Sequence, residues 1–302
     1  MTDGVQSMPQ LPISAIVLTK NEENGIAECI ARLQDFDDII VVDSHSDDNT
    51  VRLAEAAGAR VIQFTWNGKY PKKKQWSLEN AGAKHRWVLL LDADEYPTPE
   101  LVAELRAMSP ELESNEFGAY DIGLIYRFAG RFLRFGHRVI KRSLVDRFHA
   151  AFPDVGDLDA PGIREVEGHY QPQSTRRVGR LRGRLVHDDR DPVDSWFVRH
   201  NRYSSWEAHL LADSDIRRAV AERRSRLGRV WDRVPLKPAA FFGYSYVLRA
   251  GFLDGRAGLD YALALASYYW QIGVKHREAV SNAGRGSRRP ARLDDAALDT
   301  LA

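Results

Sequence analysis

The chain of 302 residues is 44% hydrophobic and 28% charged, with 43 Lys+Arg against 42 Asp+Glu. This composition excludes a disordered chain, the length accommodates one large α/β domain with an extension, and the balanced charge leaves no global field for a nucleic-acid partner. Cys29 is the only cysteine, which excludes an internal disulfide or a cysteine metal cluster and fits a reducing compartment.

Residues 1–11 are polar, with no basic stretch leading into an apolar core, and are expected as a flexible terminus rather than a signal peptide. From residue 12 the pattern alternates as in an open parallel sheet. Residues 14–19 form a β-branched run, and 38–43, 59–64 and 87–91 supply three further buried strands. A helix is expected up to Leu33, where Cys29 shares helical spacing with Ile26, Ile30 and Leu33 and so belongs to the core. Another covers 51–57 and closes at Gly58, and a third opens at Pro71.

Continuous apolar strands imply helices on both sheet faces, and such sheets bind ligands beyond the carboxyl ends of their strands. Three loops satisfy that rule: 19–23, 43–50 and 92–96. None carries a G-x-G-x-x-G or G-x-x-x-x-G-K-[ST] pattern, so the dinucleotide and P-loop readings lose their main support. In the last loop, Asp92-Ala93-Asp94 places two carboxylates at the end of a buried strand. Oxygen donors of this kind suit Mg²⁺ or Mn²⁺, which would neutralise charge on a departing diphosphate. Taken alone, the run suits a helix cap, since Asp94, Glu95 and Thr98 all precede the helix opening at Pro99.

Other blocks alter that balance. Thr19-Lys-Asn-Glu-Glu23, Ile40-Val-Val-Asp-Ser44 and Leu90-Leu-Asp-Ala-Asp-Glu95, in this order, resemble the family-2 glycosyltransferases of the GT-A fold. The resemblance is greatest to the branch of lipopolysaccharide-core β-glucosyltransferases. Weaker blocks are Lys74-Gln-Trp-Ser-Leu-Glu-Asn80, Val178-Gly-Arg-Leu-Arg-Gly-Arg-Leu-Val-His187 and Arg249-Ala-Gly-Phe-Leu-Asp-Gly255. The resemblance implies an α/β fold with a GT-A-type, mostly parallel, Rossmann-like sheet flanked by helices and a C-terminal helical extension.

It also implies roles. Thr19, Asn21 and Glu22 would line the nucleotide pocket, Asp43 would accept from the base with Ser44 beside it, and Lys74 would approach the diphosphate. Asp92, Ala93 and Asp94 would hold ribose and diphosphate. Asp94, Asp92 and His187 would hold the divalent metal. Asp43 and Ser44 equally suit capping or turn roles, and Lys74, one of three successive lysines, suits a solvated helix face.

Inverting transfer needs a carboxylate that takes the acceptor hydroxyl proton. The family's Val-His-Glu segment corresponds to Arg164-Glu-Val-Glu-Gly-His-Tyr170, where the family's histidine is absent and two glutamates are available. Strand alternation would put Glu165 and Glu167 on one face, with Glu167 the first choice and Glu165 the second. His169, His187 and Asp188 are further candidates for contacts, and loop 152–162 for a closing segment.

From residue 193 the chain turns to helices rich in arginine and aromatics. The expected organisation is a catalytic domain over 12–192, a helical extension over 193–278 and a flexible tail over 279–302. Arginines between 217 and 233, with aromatic runs at 235–246 and 261–270, suit an interfacial helix on an anionic leaflet or a helical subdomain packing its aromatics internally. The resemblance favours the inner face of the cytoplasmic membrane. The expected activity is transfer of a hexose from a nucleoside diphosphate sugar, a UDP-sugar first, to a saccharide or lipid-linked acceptor in surface-polysaccharide or glycolipid assembly. A metal-dependent phosphoryl or nucleotidyl transferase and a non-catalytic nucleotide-sugar-binding scaffold are the competing readings.

Overall fold

In the computed structural model, residues 9–158, 160, 165, 167, 170–213, 234 and 236–284 are described. Strand β1 (Leu11–Thr19) buries Ile13, Ala15 and Val17 in one core and Ile16 and Leu18 in another. A strand covered on both faces must be apolar throughout, which explains its lack of alternation. Strands β2 (Phe36–Asp43), β3 (Arg60–Gln63) and β4 (Trp87–Asp92) join it in the order β3-β2-β1-β4, all parallel. Helices α1 (Ile26–Ala31), α2 (Thr50–Ala56) and α3 (Lys73–Asn80) lie between them in sequence. Gly58 follows α2 with φ +94°, the left-handed conformation that ends a helix at low cost for glycine.

Beyond β4 the sheet becomes mixed. After Ala93 and Asp94 the chain forms β5 (Glu95–Pro97), which pairs antiparallel with β11 (Arg177–His187) at the far end of the sheet. Between lie β6 (Phe117–Phe128) and β8 (Ile140–Asp146), giving the order β4-β8-β6-β11-β5, with β7 (Arg131–Leu133) hairpinned onto β6. Strands β9 (Ala150–Ala151) and β10 (Gln173–Ser174) make a separate small pair.

Helix α4 (Pro99–Met108) is capped by Thr98, whose Oγ1 accepts from the Leu101 N–H at 3.3 Å. The capping role open to Asp94 in the sequence thus falls to Thr98. Glu104 of α4 accepts the backbone N–H groups of Arg182 (2.9 Å) and Gly183 (2.7 Å), where pairing of β11 with β6 lapses between Arg180 and Arg184. The helix therefore satisfies the donors that the bulge leaves over.

Helices α5 (Val193–Ala212), α6 (Lys237–Phe242) and α7 (Gly255–Gly284) follow. Trp196, Phe241, Tyr261 and Leu265 pack with Phe128 and Leu133, so the helical part closes over the β6–β7 hairpin with its own aromatics inside. Trp270, in contrast, is 58% exposed. No helix among the described residues is long and apolar enough to cross a membrane. The arginines between 217 and 233, His169 and the residues after 284 lie outside the described residues, as does part of loop 152–162.

Candidate active site

The loops after β1 and β2 are laced together. Asp43, fully buried, accepts from Thr19 Oγ1 (2.9 Å), Ser46 Oγ (2.5 Å) and the Ser46 N–H (2.8 Å). Burial alone would raise its pKa, but the hydrogen bonds from Ser46 and Thr19 outweigh it and hold the carboxyl below its ordinary value. Asn21, in the left-handed region at φ 56°, accepts from the Asp47 N–H at 2.9 Å, and its own N–H donates to Ser46 Oγ at 2.8 Å. The N–H of Glu22 donates to Thr50 Oγ1 at 2.7 Å. Ser44 is buried, with an Oγ that has no hydrogen-bond partner among the described residues.

The end of β4 is surrounded by charge of both signs. Lys141 of β8 donates to Asp92 Oδ2 (2.7 Å) and Glu95 Oε2 (2.5 Å), and Glu95 also receives the Asp92 N–H (3.0 Å). Burial opposes ionisation of Asp92, but Lys141 and Lys74 outweigh it and hold the carboxyl well below the carboxylate range. The charge of Lys74 thus acts on Asp92. Lys141 was not among the sequence candidates. A lone lysine on a strand has no motif, and only the antiparallel pairing of β8 with β4 brings it here.

The pairing of β5 on β11 sets His187 opposite Glu95. His187 Nδ1 lies 3.3 Å from Asp94 Oδ1 and 3.6 Å from Glu95 Oε1, and its ring stacks on Tyr126 at 4.6 Å. Burial would depress the imidazolium, but the charge of Asp94 and contacts with both carboxylates hold its pKa well above 6.5. Asp189 completes a group in which one ligand atom each from Asp94, His187 and Asp189 lies within 4.8 Å of the others. Burial raises the Asp189 carboxyl, and Arg199 opposes the shift. Glu22 faces the same cluster: burial, then repulsion from Asp94, Asp191 and Asp92, pushes it up to about 8.

These residues fit a hard divalent cation. The donors are carboxylate oxygens and one imidazole, and His187 Nδ1 is buried without a hydrogen-bond partner among the described residues. The set differs from the sequence expectation in one member. Asp94 and His187 converge, Asp189 joins them, and Asp92 is turned to Lys141. Asp188 is likewise engaged, with Arg127 and Arg190 at 2.7 Å each.

The expected strand bearing Glu165 and Glu167 does not form: neither residue lies in a strand, so the alternation that paired their side chains does not apply. Their segment instead crosses the amino end of α3. The Glu165 carbonyl accepts the Lys73 N–H at 2.8 Å, and the Glu167 carboxylate accepts the N–H groups of Lys74 (2.8 Å) and Gln75 (2.9 Å). Burial raises the Glu167 carboxyl, and those amides oppose it. The helix start offers unsatisfied donors, which explains the attraction of a carboxylate to this place. Lys73 Nζ donates to the Thr19 carbonyl at 2.6 Å, tying α3 to the end of β1; burial lowers this lysine to about 8.

A parallel β3-β2-β1-β4 half-sheet with an acidic, cation-fitting site at the end of β4 defines a GT-A-type domain. Residues 14–158 match the family profile "Glycosyl transferase family 2". It is 28% identical to the lipopolysaccharide core biosynthesis glycosyltransferase LpsC of Rhizobium meliloti over 91% of this chain and 98% of the relative. An uncharacterized glycosyltransferase of Rickettsia typhi is 36% identical over 39% of this chain, and the matched part spans 40% of that relative's length. Among solved structures, glucosyl-3-phosphoglycerate synthase of Mycobacterium tuberculosis aligns at 25% identity over 39% of this chain and 44% of that one, with a TM-score of 0.30. TarS of S. aureus (residues 1–349) aligns at 14% identity over 93% and 94% of the two chains, with a TM-score of 0.38.

Proposed function

We propose that the chain is an inverting glycosyltransferase moving a hexose from a nucleoside diphosphate sugar, a UDP-sugar first, to a saccharide or lipid-linked acceptor. The observation that carries this reading is the convergence of Asp94, His187 and Asp189 beside the Asp92–Lys141 pair, in a chain that matches the family-2 profile over residues 14–158. The similarity to the rhizobial lipopolysaccharide core glycosyltransferase supports lipopolysaccharide or related glycolipid assembly as the setting, with the protein working at the inner face of the cytoplasmic membrane.

Asp94, His187 and Asp189 would hold a Mg²⁺ or Mn²⁺ ion. That cation would supply positive charge to the departing diphosphate. The chain's own part is orientation and charge. Thr19, Asn21, Glu22, Asp43 and Ser44 line the donor side, where the hydrogen bonds of Asp43 hold it ionised and fixed as an acceptor. Lys74 and Lys141 add positive charge beside Asp92, and Ala93 keeps the turn between the two aspartates small.

Glu167 is proposed as the base, with Glu165 second; burial raises the carboxyl towards values at which it can take a proton. A capping reading is favoured by the two amide hydrogen bonds, which occupy both oxygens. Glu167→Gln separates the two. As base, the residue would be indispensable, and transfer should fall by at least about 10²-fold with donor binding intact. As cap, the variant should lose thermal stability and keep its turnover.

The whole reading is tested by incubating the protein with a panel of nucleotide sugars and Mn²⁺. Slow donor hydrolysis or transfer is expected with one of them. Intact donors throughout, together with no binding by calorimetry, would end the proposal.

A further inference from the structure

Strand β11 carries a second, differently charged feature. Arg180, Arg182 and Arg184 alternate with buried Leu181, Gly183 and Leu185, so the three arginines share one side of the strand. Arg184 stands in register with Gly123 of β6, which stands in register with Ile140 of β8. Gly123 has no side chain there, and a Cβ built on it would meet nothing within 4 Å. The result is a cavity of about 360 Å³ with Gly123 and Ile140 in its lining and Arg138, Arg180, Arg182 and Arg184 around it.

Among the described residues, none of these four guanidinium groups has a carboxylate within ion-pair distance. Asp121 stands in register with Arg180 but is paired with Arg142 at 2.9 Å, and the Glu104 carboxylate is taken by the backbone amides of Arg182 and Gly183. Burial and the neighbouring Arg184, Arg249 and Arg180 depress the Arg138 guanidinium below its ordinary value. Four mutually repelling cations in one cavity are stabilised by an anion from outside, and guanidinium forks match phosphate oxygens in pairs. The cavity is separate from the transfer centre. Arg184 and His187 are an odd number of residues apart on a regularly paired stretch of β11, so they leave opposite faces of the sheet.

The neighbouring surface indicates what carries the phosphate. The Arg249 carbonyl accepts the Gly136 N–H at 2.9 Å, and Ser245 Oγ accepts the His137 N–H at 3.1 Å, which fixes segment 243–254 against the residues leading to Arg138. Asp254 accepts the Phe135 N–H at 2.8 Å and secures the other end. This anchored segment displays Val247 (58% exposed), Leu248 (78%), Phe252 (50%) and Leu253 (57%). Large apolar side chains held outward beside unpaired arginines suit the boundary of an anionic bilayer.

We propose that the arginine cavity binds the phosphate of an anionic lipid headgroup while the adjoining 247–253 turn enters the leaflet. The proposal rests on the membrane part of the function proposed above and adds the surface and the lipid chemistry. It is tested by flotation of the full chain with phosphatidylcholine vesicles, with and without phosphatidylglycerol. Wild type should bind only the anionic vesicles. The double variant Arg138→Gln/Arg184→Gln should bind them about 25-fold more weakly, or about fivefold per charge. The charge-matched control Lys84→Gln/Arg106→Gln, at two cations outside the cavity lining that pair with Asp37 and Asp35, should remain near wild type.

Leu248→Asn should weaken binding to the anionic vesicles, and binding unchanged by it would overturn the insertion of the 247–253 turn. Wild-type binding unchanged by loss of the two arginines would overturn the cavity assignment alone. No binding by wild type would remove the membrane reading with it, while nucleotide-sugar turnover, measured separately, would still stand. Protection by inorganic phosphate in a thermal shift, abolished by the double variant but with no vesicle binding, would give the cavity to a soluble phosphate and overturn the lipid assignment.

Discussion

Strand β11 handles charge in two opposite ways. At its carboxyl end, His187 is enclosed by Asp94, Glu95 and Asp189, and nearby Lys141 neutralises Asp92 and Glu95. A few residues earlier, on the opposite face, Arg180, Arg182 and Arg184 meet Arg138 with no carboxylate to balance them among the described residues. Charges compensated inside the fold hold a geometry. Charges left uncompensated leave their partner to come from outside. The first arrangement is what a transfer site needs before its ligands arrive, and the second is what an attachment surface needs.

The largest effect should come from the compensated end. Asp94→Asn removes one charge from the proposed cation group and should cut turnover on the order of 10²–10³-fold, with Mn²⁺ binding lost in calorimetry. Unchanged Mn²⁺ affinity would place the cation elsewhere and break the comparison at its first term.

Lys141→Met should come next. Glu95, whose side chain is 2% exposed, would be left with His187 as its one positive neighbour among the contacts described above, and Asp92 would lose its nearest partner. Urea unfolding should register a loss of about 3 kcal/mol. A loss below about 1 kcal/mol would mean that Asp92 and Glu95 can find other counter-charges.

Gly183→Ala probes the strand that both regions share. The added Cβ would stand 2.4 Å from Leu101 Cα and 2.7 Å from its backbone nitrogen, so α4 would have to retreat from β11. Destabilisation of about 2 kcal/mol is expected. A variant as stable as wild type would show that the helix has slack there and that the bulge is not held by it.

Glu22 gives the most pH-dependent effect. Its pKa is about 8 in the fold against an ordinary 4.5, so between those values the folded chain keeps a proton that the unfolded chain releases. Stability contributed by the protonated group is therefore complete below about 4.5 and is lost as pH rises through about 8. Glu22→Gln removes the titration. Its thermal midpoint relative to wild type should climb from pH 5 to pH 8 and then level. A difference independent of pH would mean that the carboxylates around Glu22 do not act on it as described.

How much of this was legible beforehand differs from element to element. The four parallel strands, the helix around Cys29 and the stop at Gly58 follow from local pattern, because apolar continuity and a left-handed turn are properties of short segments. Asp92, Asp94 and His187 were also identifiable, through the blocks they end. Glu165 and Glu167 were misread as strand residues because their charges alternate, whereas the amides at the start of α3 claim the segment. The aromatics at 261–270 divide in the fold, with Tyr261 and Tyr268 buried and Trp270 exposed, a distinction composition does not carry.

By itself, then, the sequence determined the open α/β half-sheet, the loops that follow β1, β2 and β4, and the aspartates at the end of β4, since each depends on residues close in the chain. Tertiary structure alone decided that Lys141 would meet Asp92, that Asp189 would join Asp94 and His187, and that four arginines would share a cavity. Each of these depends on which strands become neighbours: β8 beside β4, β5 on β11, and β6 between β8 and β11. Charges on separate strands interact strongly only when pairing brings them within a few ångströms of one another, and no local pattern encodes that distance.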